Sequence, residues 1–113
     1  MGAEKNFENT LKKYLKKNNI FYVKYFANAY TVAGVPDILA CYEGKFLAIE
    51  VKAENGRLSE LQKVKLQEIA EAGGIAVVLY PSGFDLFKKY FDGGYLSGYS
   101  VNIFMHDSVN YSL

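Results

Sequence analysis

The chain has 113 residues and a formal net charge of +1, a length that suits a single domain over residues 1–113 and is too short for two. Half of the residues are apolar, so the chain should fold, and a charge this close to zero argues against a protein whose whole surface holds nucleic acid. A lone cysteine excludes an internal disulfide and a Cys-rich zinc site, and the absence of a secretory segment or of an apolar run near the ~20 residues that cross a membrane predicts a soluble, cytoplasmic protein.

The first predicted element is an amphipathic helix over residues 4–18, because apolar side chains recur there at helical spacing. Glu8 precedes Leu11 and Leu15 by three and seven residues, so it should lean toward the core, with Glu4 as the rival one turn earlier. Either carboxylate is also a favourable charge near a helix N-terminus. The helix carries a lysine cluster that suits a solvated face or, together with a lysine further along, a DNA-binding surface: Lys12, Lys13, Lys16, Lys17 and Lys24.

The next predicted elements are a strand over residues 20–26 and a hairpin. The apolar runs 37–42 and 45–52 flank Glu43-Gly44, which resembles the Asp-Gly turn of two-residue hairpin loops. An even-length loop centred there places Asp37 opposite Glu50, with Cβ atoms about 4.5–5.5 Å apart. Lys52 then lies on the same face as Glu50, because side chains alternate along a strand. An odd-length loop would shift this register.

The rest of the chain predicts a helix, a strand, a second helix and an extension. Ser59 is a good N-cap for a helix over residues 60–72, which Gly73-Gly74 ends. A continuous apolar run over residues 75–80 indicates a buried strand. A short amphipathic helix around Phe87 follows, and the aromatic-rich extension 95–113 suits a further strand or contact with a partner subunit. The prediction is an α/β domain with a mixed sheet.

The chemistry is expected at the hairpin. A carboxylate at position 50, between Ile49 and Val51, is costly to bury unless it is paired or bound to a metal. Lys52 is an alternative partner for Glu50, and Asp37 alone suits a turn or a helix cap, but neither explains a second carboxylate across the hairpin. Mg²⁺ or Mn²⁺ does, because these ions prefer oxygen ligands and bridge to phosphate. The pattern therefore indicates hydrolysis of a phosphodiester.

Three further polar or reactive side chains have open or structural interpretations. Gln62 lies on the helix stripe that faces the sheet, where it suits either the site or a capping box with Ser59. Cys41 is expected in the core. His106 lies in the extension and is expected on the surface or in packing contacts, so no Ser-His triad is predicted.

The motifs together resemble the VRR-NUC family of the PD-(D/E)xK nuclease superfamily. They are Gly34-Val35-Pro36-Asp37, Phe46 to Lys52, Leu58-Ser59 with Gln62, and Ala72-Gly73-Gly74, and the resemblance covers residues 4–92. It implies a restriction-endonuclease-like αβββαβ core with a C-terminal appendix, and Mg²⁺- or Mn²⁺-dependent DNA cleavage with no small-molecule cofactor. The chain resembles the short stand-alone members of phages and bacteria, which implies a homodimer acting on Holliday junctions or other branched DNA.

The resemblance also implies roles for particular residues. Asp37, Glu50 and the carbonyl of Val51 match the metal ligands, and Lys52 matches the catalytic lysine. Gln62 matches the glutamine that positions the site. Glu8 matches the acidic residue of the first helix, a further metal ligand.

Two alternatives to a structure-selective endonuclease stay open. One is a catalytically inactive DNA-binding or assembly module with the same fold. The other is a restriction-type nuclease that recognises a sequence. The sequence predicts neither the preferred DNA nor the position of the cut.

Overall fold

A computed structural model describes residues 2–113 of the chain. In chain order the elements are α1 (Ala3–Lys17), β1 (Tyr22–Lys24), β2 (Ile38–Tyr42), β3 (Lys45–Val51), α2 (Glu60–Glu71), β4 (Ile75–Leu79), a 3₁₀ turn (Pro81–Gly83), α3 (Phe84–Gly93), β5 (Ser100–Met105) and β6 (Ser108–Asn110). The predicted order αβββαβ is confirmed, and β1 is shorter than predicted. The extension contributes two strands. Within residues 2–113, none of the helices has the length and apolar character needed to cross a membrane.

The six strands form one mixed sheet, in which they lie side by side in chain order. Strand β2 is antiparallel to β1 and β3, whereas β4 is parallel to both β3 and β5, and β6 returns antiparallel. The parallel crossovers are made by α2 between β3 and β4 and by α3 between β4 and β5. The carboxyl ends of β3 and β4 therefore meet at one end of the sheet.

The β2–β3 hairpin has the predicted register. Its two loop residues both have positive φ, 50° at Glu43 and 78° at Gly44, as a two-residue turn of type I′ requires. Leu39 pairs with Ala48 and Ile38 pairs with Ile49. One step further along this register, Asp37 lies opposite Glu50.

Two clusters of apolar side chains form the core, one on each face of the sheet. On one face, α1 and α3 pack over the sheet through side chains such as Leu11, Leu15 and Phe87. On the other face, α2 covers β4 and β5 through Leu66 and Ala70.

Helix α2 does not cover the part of this sheet face that belongs to β1, β2 and the start of β3. This open sheet face comprises the outward side chains of β1–β3 and the residue before β1: Phe21, Val23, Leu39, Cys41 and Phe46. The prediction that Cys41 belongs to the core is wrong, because its side chain is exposed on this face. Alternation along β2 predicts the face of Cys41 correctly, but within residues 2–113 no helix covers that side of the strand.

Candidate active site at the end of the hairpin

The loop before β2 aims Asp37 at the end of β3. Gly34 has φ +82°, and a Cβ atom at this position would lie 2.6 Å from the carbonyl oxygen of Leu61 in α2. Only glycine therefore allows the loop to lie this close to the helix. Pro36 is buried behind it. From there the Asp37 Oδ2 atom accepts a hydrogen bond of 2.9 Å from the Val51 amide.

Glu50 is buried beside that pair, with only 3% of its surface exposed. Burial, and next the negative charge of Asp37, raise the pKa of Glu50 to about 8, against an opposing effect of Lys52. The Lys52 Nζ atom lies 3.5 Å from Glu50 Oε2. The two carboxylates thus approach closely enough to repel each other, as the hairpin register predicts.

Gln62 satisfies both of its predicted interpretations at once. It closes a capping box at the start of α2. The backbone amide of Gln62 donates to Ser59 Oγ (3.1 Å), and the side-chain Oε1 of Gln62 accepts from the backbone amide of Ser59 (2.9 Å). The same side chain donates from Nε2 to Glu50 Oε2 at 3.1 Å and accepts from Lys52 Nζ at 3.0 Å. The helix cap therefore fixes the side-chain amide of Gln62, which is hydrogen-bonded to both Glu50 and Lys52.

Glu8 reaches the site from α1, whereas Glu4 is exposed on the same helix. Glu8 is 3% exposed and lies between two lysines, with Oε1 2.7 Å from Lys24 Nζ and Oε2 2.9 Å from Lys12 Nζ. Burial would raise the pKa of Glu8, but the hydrogen bonds and charges of Lys24 and Lys12 outweigh it and lower that pKa. Glu8 is therefore a buried, ionised carboxylate.

Lys24 connects Glu8 to the hairpin. Its Nζ atom lies 3.4 Å from Asp37 Oδ1 as well as 2.7 Å from Glu8. Burial would lower the pKa of Lys24, but the two carboxylates outweigh it and raise that pKa. The sequence places this lysine only among possible DNA contacts. Its position follows from the pairing of Lys24 with Ile38 across β1 and β2, which no local pattern encodes.

Among the other lysines predicted to bind DNA, Lys12 approaches the site through Glu8, whereas the rest lie along the exposed side of α1. Lys13, Lys16 and Lys17 are exposed along α1, while Lys12 is half-buried against Glu8. His106 is exposed in the turn between β5 and β6, with Nδ1 3.6 Å from Glu54. It is not part of the site.

The donor set suits a hard divalent cation held by few protein ligands. Among residues 2–113, no group of three or more His, Cys, Asp and Glu side chains is arranged to hold a metal ion. The pair Asp37 and Glu50 remains, and their mutual repulsion is what a cation between them would relieve. Mg²⁺ is commonly bound by one or two carboxylates, with water and phosphate completing its coordination. The carbonyl of Val51 and the carboxylate of Glu8 as further ligands stay predictions.

Comparison with known proteins identifies the domain. The model of the VRR-NUC domain matches residues 4–82, more than half of the chain. This match confirms the resemblance predicted from the motifs, and with it the PD-(D/E)xK-like fold class. All the residues discussed at the site, from Glu8 to Gln62, lie inside the matched range. No curated protein and no solved structure matches the chain.

Proposed function

Because the chain belongs to the VRR-NUC family, whose members are nucleases of the PD-(D/E)xK type, we propose that it is a metal-dependent DNA endonuclease that hydrolyses phosphodiester bonds. The observation that carries the proposal is the meeting of Asp37 and Glu50 at the end of the hairpin. Lys52 lies 3.5 Å from Glu50, and Gln62 bonds to both of these residues. Every residue of the predicted motif is present in the sequence, and Asp37, Glu50, Lys52 and Gln62 lie close together, which counts against an inactive module.

The proposed roles follow from the charges of these side chains. Asp37 and Glu50, with the Val51 carbonyl, would hold Mg²⁺ or Mn²⁺. Such an ion acidifies a bound water and neutralises charge on the phosphate oxygens. The Lys52 ammonium group donates a hydrogen bond to Gln62, and it would orient the attacking water or stabilise the negative charge that develops on the phosphate. Gln62 fixes the position of that ammonium group.

We propose branched DNA, such as a Holliday junction, as the substrate, and a homodimer as the active form. A symmetric junction is cut at two related positions, and a two-fold dimer presents two related sites. The open sheet face supports the dimer, because exposed clusters of large apolar side chains often mark protein contacts. The sequence of the extension 95–113 suits either a further strand or the contact with a partner subunit. Several of its apolar side chains, Leu96, Val101 and Phe104, are buried within the chain itself.

Cleavage of a four-way junction tests the proposal. The purified chain should cut the junction with Mg²⁺ or Mn²⁺ and not with EDTA. Asp37→Asn and Lys52→Ala should each lower the rate by about 10²-fold or more, since each removes a charge that acts at the reacting phosphate. Lys45→Ala is the matched control, because Lys45 is exposed at the opposite end of β3. Circular dichroism checks that every variant folds.

The outcomes separate the alternatives. Wild-type rates in both Asp37→Asn and Lys52→Ala would contradict the assigned site. Binding of junctions without cleavage by either metal would favour the inactive module. Cleavage of linear duplex at one sequence, with no preference for the junction, would favour the restriction-type enzyme.

A further inference from the structure

The loop that joins β1 to β2, residues 25–37, carries large apolar side chains that the core does not use. Tyr30 is 97% exposed, Phe26 is 69% exposed and Val32 is 58% exposed. Single exposed apolar side chains are common and need no explanation. Here, three such side chains lie within one short loop, and two of them are aromatic. Because they are exposed, they do not stabilise the fold through burial.

The loop keeps its shape without those aromatic rings. The Tyr25 hydroxyl donates to the Val32 carbonyl at 2.7 Å, across the loop. At the tip, Asn28 Oδ1 accepts from the Tyr30 amide at 2.7 Å, and the Asn28 amide donates to Thr31 Oγ1 at 2.8 Å. Because these bonds hold the backbone, a ligand of the rings would not have to order the loop, which lowers the cost of binding.

The same loop leads directly into the candidate active site. Its two ends are joined by a hydrogen bond of 2.8 Å from the Tyr25 amide to the Asp37 carbonyl. Lys24 Nζ lies 5.9 Å from the centre of the Phe26 ring and 3.4 Å from Asp37 Oδ1. Lys24 therefore lies near both the Phe26 ring and Asp37, a proposed metal ligand.

We propose that Phe26 and Tyr30 provide a stacking platform for unpaired bases of the DNA, on the loop that leads into the candidate active site. This inference rests on the proposed nuclease function and assigns a binding site to the loop. Every base has a flat π face, so aromatic side chains bind bases by stacking with little regard to sequence. Bases inside an intact duplex already stack on their neighbours. The platform therefore favours DNA whose bases are open, as at a flap or a branch.

A second copy of the chain is the rival occupant of these rings, and the chemistry of the two contacts differs. Packing between proteins needs apolar contact area, much of which leucine still supplies in place of tyrosine. Stacking on a base needs a planar ring, which phenylalanine supplies and leucine does not. Tyr30→Phe and Tyr30→Leu therefore separate the two occupants.

Equilibrium binding of two labelled DNAs tests the proposal. One is a fully paired duplex, the other has the same sequence with a single-stranded flap, and binding is followed by fluorescence anisotropy in EDTA. Tyr30→Ala should weaken flap binding by roughly 5- to 150-fold, the range for loss of one base–aromatic stack. Duplex binding should change little. Tyr30→Phe should match the wild type, and Tyr30→Leu should be as weak as Tyr30→Ala.

Tyr95→Ala is the matched control. Tyr95 is 70% exposed and follows α3, at the opposite end of the sheet from the hairpin site, so its loss should leave both affinities unchanged. Flap binding at the wild-type level in Tyr30→Ala and in Phe26→Ala would overturn the platform. So would full affinity in Tyr30→Leu, or an equal loss in Tyr95→Ala.

Cleavage with Mg²⁺ or Mn²⁺, run on the same DNAs, keeps the two proposals apart. If Tyr30→Ala binds the flap more weakly than the wild type does, but the wild type cuts neither DNA, the nuclease is contradicted and the platform is supported. If the wild type cuts the flap, and Tyr30→Ala and Phe26→Ala each bind and cut it equally well, the nuclease is supported and the platform is overturned.

Discussion

Glu50 is the residue on which the electrostatics of the site depend most. Its carboxylate is buried, it accepts a hydrogen bond from Gln62, and it lies near both Lys52 and Asp37. Burial and then Asp37 raise its pKa to about 8 from the ordinary value of 4.5. The folded chain without metal therefore holds a proton on Glu50 at pH values where the unfolded chain has released it.

The stability of the metal-free protein should consequently fall as pH rises from 4.5 to about 8. In that window the folded state binds more protons than the unfolded state, so the free energy of unfolding decreases with pH, by at most about 1.4 kcal/mol per pH unit for this group. The loss is complete above the folded pKa. Urea unfolding in EDTA across the window measures it.

Glu50→Gln is the control for this pH dependence, because it keeps the size of the side chain and removes its titration. The variant should lose this part of the slope, and an unchanged slope would contradict the role of Glu50. Adding Mg²⁺ should also flatten the wild-type slope, since a cation between Asp37 and Glu50 favours both charges. Mg²⁺ should have little effect on the slope of Glu50→Gln.

At the scale of elements, the approach of the β1–β2 loop to α2 sets the position of Asp37. Gly34 and Gly44 both have positive φ, +82° and +78°, but they differ in their surroundings. A Cβ atom at Gly34 would meet the Leu61 carbonyl at 2.6 Å, while one at Gly44 would have nothing within 4 Å. Replacing each glycine by alanine therefore separates the effect of backbone strain, which both positions share, from the effect of the contact between loop and helix, which only Gly34 has.

Gly44→Ala should lower the free energy of unfolding by about 1–2 kcal/mol, the cost of a left-handed conformation for a residue with a Cβ. Gly34→Ala should lower it further, because the loop must also move away from α2. It should reduce DNA cleavage as well, since Asp37 moves with the loop. Urea unfolding and the junction assay measure both effects, and equal losses of stability and activity in the two variants would contradict this account.

The elements also show what the sequence could and could not predict. The turn chemistry of Glu43-Gly44 and the alternation of β2 and β3 predict Asp37 opposite Glu50 for an even-length loop, because both signals are local, and the structure has that register. The link from Lys24 to Glu8 and Asp37 was not predicted, since it depends on how α1 and β1 pack. Cys41 was misplaced for a similar reason. Alternation shows which side chains share a face, but not whether a helix covers that face.

At the scale of the whole molecule, the open sheet face groups large exposed apolar side chains on one side of the sheet. Phe21 is 73% exposed, Phe46 is 47% exposed and Val23 is 46% exposed. If this face joins two copies, a charge on it should separate them, because burying a carboxylate there without a partner is costly.

Phe21→Glu should therefore convert a dimer into a monomer in sedimentation or light scattering at micromolar concentration, with the fold retained. Tyr95→Glu is the matched control, on a tyrosine of the extension that is 70% exposed. If the extension forms the contact instead, Tyr95→Glu rather than Phe21→Glu should yield the monomer. A wild type that is monomeric both alone and with junction DNA would contradict the dimer.

The match between strand order and chain order has a consequence for how the molecule is built. Each of the six strands pairs with its neighbours in sequence. As the chain is synthesised, each new strand can therefore add to the edge of the sheet already formed. Helix α1 is the exception, because Phe7 and Tyr14 pack against Phe84 and Phe91 of α3, which is made much later. We expect α1 to dock last in folding. Glu8, the partner of Lys24, would then enter the site only after α3 has been made.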